Sequence, residues 1–173
     1  KVLLIGCGGV GRMIATEALR HGADLTIGII PQDKELVEEF IREAKQTMPD
    51  AKVQYAVTAD IHDKFDVIIN ASPVGMFPKV DACPVSDELI DGADYFFDVI
   101  YNPTKTLFLR KALEKDPDFF CGQIIFQKDG YNMAKRTPVA FALGEQLALL
   151  QEYGYQVVPV GELLALSLIH ISE

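Results

Sequence analysis

Residues Gly6-Cys7-Gly8-Gly9-Val10-Gly11 follow the apolar run Val2-Leu3-Leu4-Ile5 and lead into an amphipathic stretch, 10–20. A buried run, a glycine-rich turn and a helical pattern in direct succession leave few architectures open, chiefly a parallel sheet whose strands alternate with helices. The spacing is G-x-G-x-x-G. Glycine lets the backbone turn tightly and approach a bound group, and the helix that follows offers free N–H groups at the positive end of its dipole. The pattern predicts a cradle for a dinucleotide pyrophosphate at Gly6, Gly8, Gly9, Val10 and Gly11. Without a ligand it is a tight strand-to-helix turn.

Strand and helix signals alternate along the rest of the chain. Strands are expected at 2–5, 25–30, 53–57, 67–69, 95–100 and 119–121, and helices at 10–21, 34–47, 105–114 and 138–152. Gly22, Pro49-Asp50 and Gly154 stop three of these helices. Val67-Ile68-Ile69 is continuously apolar, as a strand covered on both faces should be. Phe96, Phe97, Phe119 and Phe120 read as core aromatics, and Glu38–Arg42 as an i,i+4 pair on a solvated helix face. The fold class is α/β: a Rossmann-like, doubly wound, mostly parallel sheet with helices on both faces. Its ligand crevice lies at the carboxyl ends of the strands. Residues 1–130 are expected to form the dinucleotide-binding domain and 131–165 a helical segment. Residues 166–173 break the pattern and read as an artefactual tail. The opening at Lys1, directly in a core strand, reads as a cut end.

Composition narrows the partners. The chain of 173 residues is 49% hydrophobic and carries a net charge of −9. That charge disfavours nucleic acid and anionic membrane, both of which need a cationic surface. No apolar run has membrane-spanning length. Cys7, Cys83 and Cys121 form no C-x-x-C, which fits a reduced, cytoplasmic setting. Cys7 reads as a small residue tolerated beside the ligand. His21, His62 and His170 have no metal-ligand spacing, so no metal is expected. Asp60, Asp63 and Asp66 read as a solvated loop.

Two loops at predicted strand ends carry chemistry. Asn70-Ala71-Ser72-Pro73-Val74-Gly75-Met76 places hydrogen-bonding groups at Asn70 and Ser72 where a cofactor would cross, or simply closes a strand as a polar turn. Asp98-Val99-Ile100-Tyr101-Asn102-Pro103-Thr104 would bring the Tyr101 phenol over the same crevice, or bury an aromatic with a satisfied hydroxyl.

These two blocks, with Pro84-Val85 between them, Lys105-Thr106 after them and the glycine turn before them, resemble the C-terminal, nicotinamide-binding domain of the shikimate dehydrogenase family over about residues 1–127. The resemblance implies an NADP-linked oxidoreductase that reduces 3-dehydroshikimate to shikimate in aromatic amino-acid biosynthesis. By position it implies that Gly8, Gly9 and Val10 line the pyrophosphate, that Val99 touches the nicotinamide, that Gly122 flanks the cofactor, and that Tyr101 and Gln127 reach the substrate; Met76, in the loop at 70–76, is counted with the cofactor contacts. The sequence also departs from the family. Ile29-Ile30-Pro31 stands where the family has Asn-Arg-Thr. Lys34 lies where the family often has a second basic residue, so the resemblance implies either a contact to the adenosine 2′-phosphate, as a point charge without a guanidinium's fork, or an exposed residue in the first turn of a helix. No acidic residue ends the second strand to read a ribose 2′-hydroxyl, and NAD stays open. The family's Lys–Asp pair for proton transfer lies in or just after its N-terminal substrate domain and has no counterpart here. No catalytic residue is therefore expected in this chain, which would share its small-molecule substrate with that domain and be inactive alone. A quinate-type NAD enzyme and a nucleotide-sensing module are the alternatives. The second has no use for the Tyr101-Asn102-Pro103 loop.

Overall fold

A computed structural model of the chain describes residues 1–115 and 120–123, together with 147, 148, 151 and 152. The expected helix at 138–152 falls largely outside the described residues, and Phe119, Gln127, His170 and the tail at 166–173 fall wholly outside them. So does the division into domains beyond the sheet.

Six strands form one sheet: β1 (Val2–Ile5), β2 (Leu25–Ile29), β3 (Val53–Val57), β4 (Val67–Asn70), β5 (Tyr95–Asp98) and β6 (Phe120–Gln123). Their order is β3-β2-β1-β4-β5-β6, and every neighbouring pair is parallel. The chain winds outward from β1 in one direction and then, from β4, in the other. This is the doubly wound Rossmann order, and its switch point lies between β1 and β4.

Side-chain alternation explains the layers. Val2 and Leu4, with Leu25, Ile27, Val67 and Ile69, pack against α1 (Gly9–Arg20) and α2 (Lys34–Thr47) through Ile14, Ala18, Val37 and Phe40. Leu3 and Ile5, with Ile68 and Phe96, pack on the opposite face against α3 (Asp87–Asp91) and α4 (Leu107–Lys115) through Leu89, Ile90, Phe108 and Ala112. Both faces of β1 and β4 are covered, so these strands carry no polar alternation.

The expected boundaries shift where local hydrogen bonding intervenes. β2 ends at Ile29 because a 3-10 turn begins at Pro31, which has no N–H for the ladder. β5 ends at Asp98 because the ladder closes there: Val99 N–H makes its last bond, to the Asn70 carbonyl, and Ile100 N–H turns to the Asp98 side chain. α4 starts at Leu107 rather than 105, behind Thr106, whose hydroxyl accepts from Leu109 N–H. α3 is an element the sequence pattern does not announce; it is five residues long and capped by the Ser86 hydroxyl. The Glu38–Arg42 pair is replaced. Tyr55 Oη donates to Glu38 at 2.6 Å, and Lys34 Nζ stands 3.9 Å from the same oxygen, so Glu38 turns toward β3 and the start of its own helix.

Candidate functional site

The carboxyl ends of β2, β1, β4, β5 and β6 lie side by side in that order. Each carries a segment singled out in the sequence. Lys34 follows β2, the glycine turn follows β1, residues 71–77 follow β4, residues 99–105 follow β5, and Gly122 lies in β6 opposite Phe97.

At the turn after β1, Gly6 has φ +94°, and a Cβ there would meet the Ala71 carbonyl at 3.0 Å. The glycine turn and the loop after β4 therefore touch through backbone, and a side chain would part them. A Cβ at Gly11 would lie 2.5 Å from the Gly6 carbonyl oxygen, so the helix can approach the strand only with glycine there. Gly8 and Gly9 behave differently: both are exposed, and nothing lies within 4 Å of a Cβ built on either. Gly8 caps α1 with no side-chain acceptor, and the first turn of the helix contains no acidic residue. The first turn of a twelve-residue helix thus begins beside open space at Gly8 and Gly9, without a side-chain acceptor at the cap. That is the donor set and the room a diphosphate needs. Val10 leans on the core beneath. Cys7 points into that core, not toward the opening. Burial pushes its thiol pKa up, with Arg12 opposing and Asp33 reinforcing the shift, which disfavours a reactive thiolate.

Lys34 is exposed at the start of α2. Arg12, four residues into α1, is turned away from the opening: it donates to Glu43 at 2.5 Å and stacks over the Phe40 ring at 5.7 Å.

The loops after β4 and β5 share one hydrogen-bonded network. Asn70 and Asp98 are both 0% exposed. Asn70 Nδ2 donates to the Val74 carbonyl and to Asp98 Oδ1, each at 3.1 Å. Asn70 Oδ1 accepts from Ser72 N at 3.1 Å and Ser72 Oγ at 2.7 Å. The amide is saturated within the protein, so Asn70 shapes its loop. Ser72 Oγ also accepts from Val74 N. Asp98 Oδ1 accepts from Ile100 N at 2.9 Å, and Oδ2 from Thr106 Oγ1 at 2.7 Å. Burial raises the Asp98 pKa, while the donors from Thr106, Ile100 and Asn70 oppose the rise. Phe77 N–H donates to the Asn102 carbonyl, a second tie between the loops. On this frame Met76, Phe77 and Tyr101 are exposed, Tyr101 by 66%, while Val99 is half-buried against the core.

The structure thus brings the glycine turn, Ser72, Met76, Val99, Tyr101 and Gly122 to one end of the sheet, with Lys34 at its β2 side. Asp98 and Thr106 complete the site and were not singled out from sequence. The signal was a lone acid closing the aromatic strand Tyr95-Phe96-Phe97 and a threonine one residue before a helical apolar pattern. Among the described residues no three His, Cys, Asp or Glu side chains gather as a metal site, and no helix is long and apolar enough to cross a membrane.

No protein-family model matches the chain. A shikimate dehydrogenase (NADP(+)) of Caldanaerobacter subterraneus subsp. tengcongensis is 32% identical over 119 residues, which are 65% of this chain and 40% of that protein. The crystal structure of a shikimate dehydrogenase in complex with NADP+ matches with a TM-score of 0.59 at 27% identity, over 70% of this chain and 42% of its own. A quinate dehydrogenase from Corynebacterium glutamicum in complex with NAD, 23% identical, shares the fold, with a TM-score of 0.57 over 70% of this chain and 42% of its own. The chain spans about two fifths of the length of the curated relatives it matches. Over about two thirds of its sequence, and in its fold, the chain resembles the shikimate dehydrogenases.

Proposed function

We propose that this chain is the dinucleotide-binding part of a shikimate dehydrogenase-like oxidoreductase, that it takes NADP, and that it serves the interconversion of 3-dehydroshikimate and shikimate. The observation that carries the reading is the amide-lined opening at the start of α1, free of side chains at Gly8 and Gly9. The amides around Gly9, Val10 and Gly11 would hold the diphosphate. The order of strand ends supports the rest: Lys34, on the β2 side, meets the adenosine 2′-phosphate. Ser72 and Met76, on the loop that Asn70 shapes, flank the middle of the cofactor. Val99 and Gly122 flank the nicotinamide, and Tyr101 reaches the substrate beside it. Gln127, outside the described residues, is a second substrate contact in this reading.

Bound there, the nicotinamide supplies hydride transfer. The residues of this chain bind and orient. Asp98, the buried acid at this end of the sheet, is committed to three donors and shielded from a substrate. The acid–base pair that moves a proton at the reacting oxygen belongs, in this reading, to a substrate-binding part outside the chain.

Titration of the chain with NADP and with NAD, wild type against Lys34→Ala, tests the cofactor assignment. A charge-assisted phosphate contact contributes about 1.5–3 kcal/mol, so NADP affinity should fall about tenfold or more while NAD affinity stays unchanged. Equal affinities untouched by the substitution would favour an NAD-linked, quinate-type enzyme. Binding of neither dinucleotide would reject the reading.

A further inference from the structure

We propose that Asp98, Asn70 and Thr106 form a buried clamp whose task is to position the loop at 99–105, and with it Tyr101, for the nicotinamide half of the ligand; the inference rests on the dinucleotide reading above. Asp98 ends β5, Asn70 ends β4, and Thr106 stands one residue before α4. One carboxylate joins all three. It accepts from Asn70 at 3.1 Å and from Ile100 N–H, inside the loop, at 2.9 Å. Through its other oxygen it accepts from the Thr106 hydroxyl at 2.7 Å. Thr106 in turn accepts from Leu109 N–H in the first turn of α4. The loop is thereby held at its first residues and at its exit, while Tyr101 between them stands out into solvent.

Stability alone accounts poorly for this arrangement. Removing an ionised carboxylate from water is costly, and well-packed apolar side chains in its place are often as stable or more so. The surrounding core would accept them: Ile100 is buried, and Phe96, Phe97 and Phe108 are fully buried. What an apolar substitute cannot do is fix two loops and a helix start to one point with directional bonds. The network sits at the carboxyl end of the sheet, where the candidate ligand contacts gather. Asp98, Asn70 and Thr106 are positioning residues, acting on the ligand through the loops they hold.

The test uses the whole chain and two probes: NADPH (with NADH in parallel), followed by its nicotinamide fluorescence, and ADP-ribose, which has the diphosphate but no nicotinamide, followed by calorimetry. Thr106→Val removes the hydroxyl at nearly constant volume and should weaken reduced-dinucleotide binding about five- to tenfold and diminish the fluorescence change of the bound ring. ADP-ribose affinity should stay within about twofold, and Thr106→Ser should restore both readouts. Thr106→Ala, which removes the same hydroxyl without placing a branched apolar side chain against Asp98, should give the same split if Thr106→Val does not fold. Equal losses for both probes, no loss for either, or failure of serine to rescue would overturn the clamp. A wild-type chain that binds neither probe would overturn the dinucleotide reading and this inference with it. A wild type that binds both, with variants that show no split, would overturn this inference alone.

Discussion

At Gly8 stability and binding separate. A Cβ there meets nothing within 4 Å, and the residue caps α1 without a side-chain acceptor. Aspartate is a good capping residue, so Gly8→Asp should leave the unfolding free energy unchanged or raise it by about a few tenths of a kcal/mol at most. The same carboxylate would stand where the diphosphate belongs, and dinucleotide affinity should fall at least tenfold in a titration; unaltered affinity would remove the cradle from this turn. Gly11→Ala is the converse, since its Cβ would come 2.5 Å from a backbone oxygen and should destabilise the fold itself. Asp98 gives a third residue-scale expectation, with a sign. Burial raises its folded pKa above the ordinary carboxylate value. The folded chain then keeps this proton to higher pH than the unfolded chain, so the site favours folding most in acid. That contribution is lost as pH rises from about 4 through the raised folded value. Asp98→Asn cannot titrate. Denaturant midpoints measured across that window should show the variant gaining on wild type as pH rises, and a constant difference would contradict the shift.

Among the elements, α4 shows how far the sequence could be read. Its apolar spacing marks a helix, and the side chains at those positions, Phe108, Leu109 and Ala112, are buried against the face of the sheet that carries Phe96. The Phe96 and Phe108 rings meet edge to face, centroids 5.7 Å apart. Phe108→Ala should therefore cost about 3–5 kcal/mol in a denaturation experiment, and a loss under about 1 kcal/mol would mean that α4 is not docked there. The strands and the helices on the α1/α2 face were legible for the same reason: a strand covered on both sides writes itself as an unbroken apolar run, and a covering helix as a one-sided stripe. α3 was not legible because five residues make too little periodicity, and its cap at Ser86 is a single hydroxyl. At the site, the glycine turn could be read because positive φ and close backbone approach admit almost only glycine. The clamp could not, because Asn70, Asp98 and Thr106 are joined across 28 and 8 residues of sequence, and nothing local marks Asn70 as saturated. The Glu38–Arg42 pairing failed on the same ground. Helical spacing made it available, but Tyr55 on the neighbouring strand took the Glu38 carboxylate at 2.6 Å.

On the scale of the whole molecule, an acidic chain has to attract a polyanion. With a net charge of −9, the attraction on the proposed reading is local, from the start of α1 and from Lys34, against a repulsion that salt screens beyond about 10 Å at 0.1 M. Those local terms sit at the diphosphate and the adenosine, so binding needs nothing from a second wall of the crevice. Reaction is different. Hydride transfer requires the acceptor carbon held within about 3–3.5 Å of the donor, and a proton delivered to the developing oxyanion. At the end of the sheet where that would occur, Met76, Phe77 and Tyr101 are exposed, and the buried acid beneath them is saturated by donors. The chain should therefore bind NADP stoichiometrically and yet show no shikimate-dependent formation of reduced nicotinamide in the same sample. The check is an absorbance assay run at saturating cofactor beside the binding titration. Turnover by these 173 residues alone would mean that the proton-transfer groups lie within the chain, and would call for a search among the residues at 116–173.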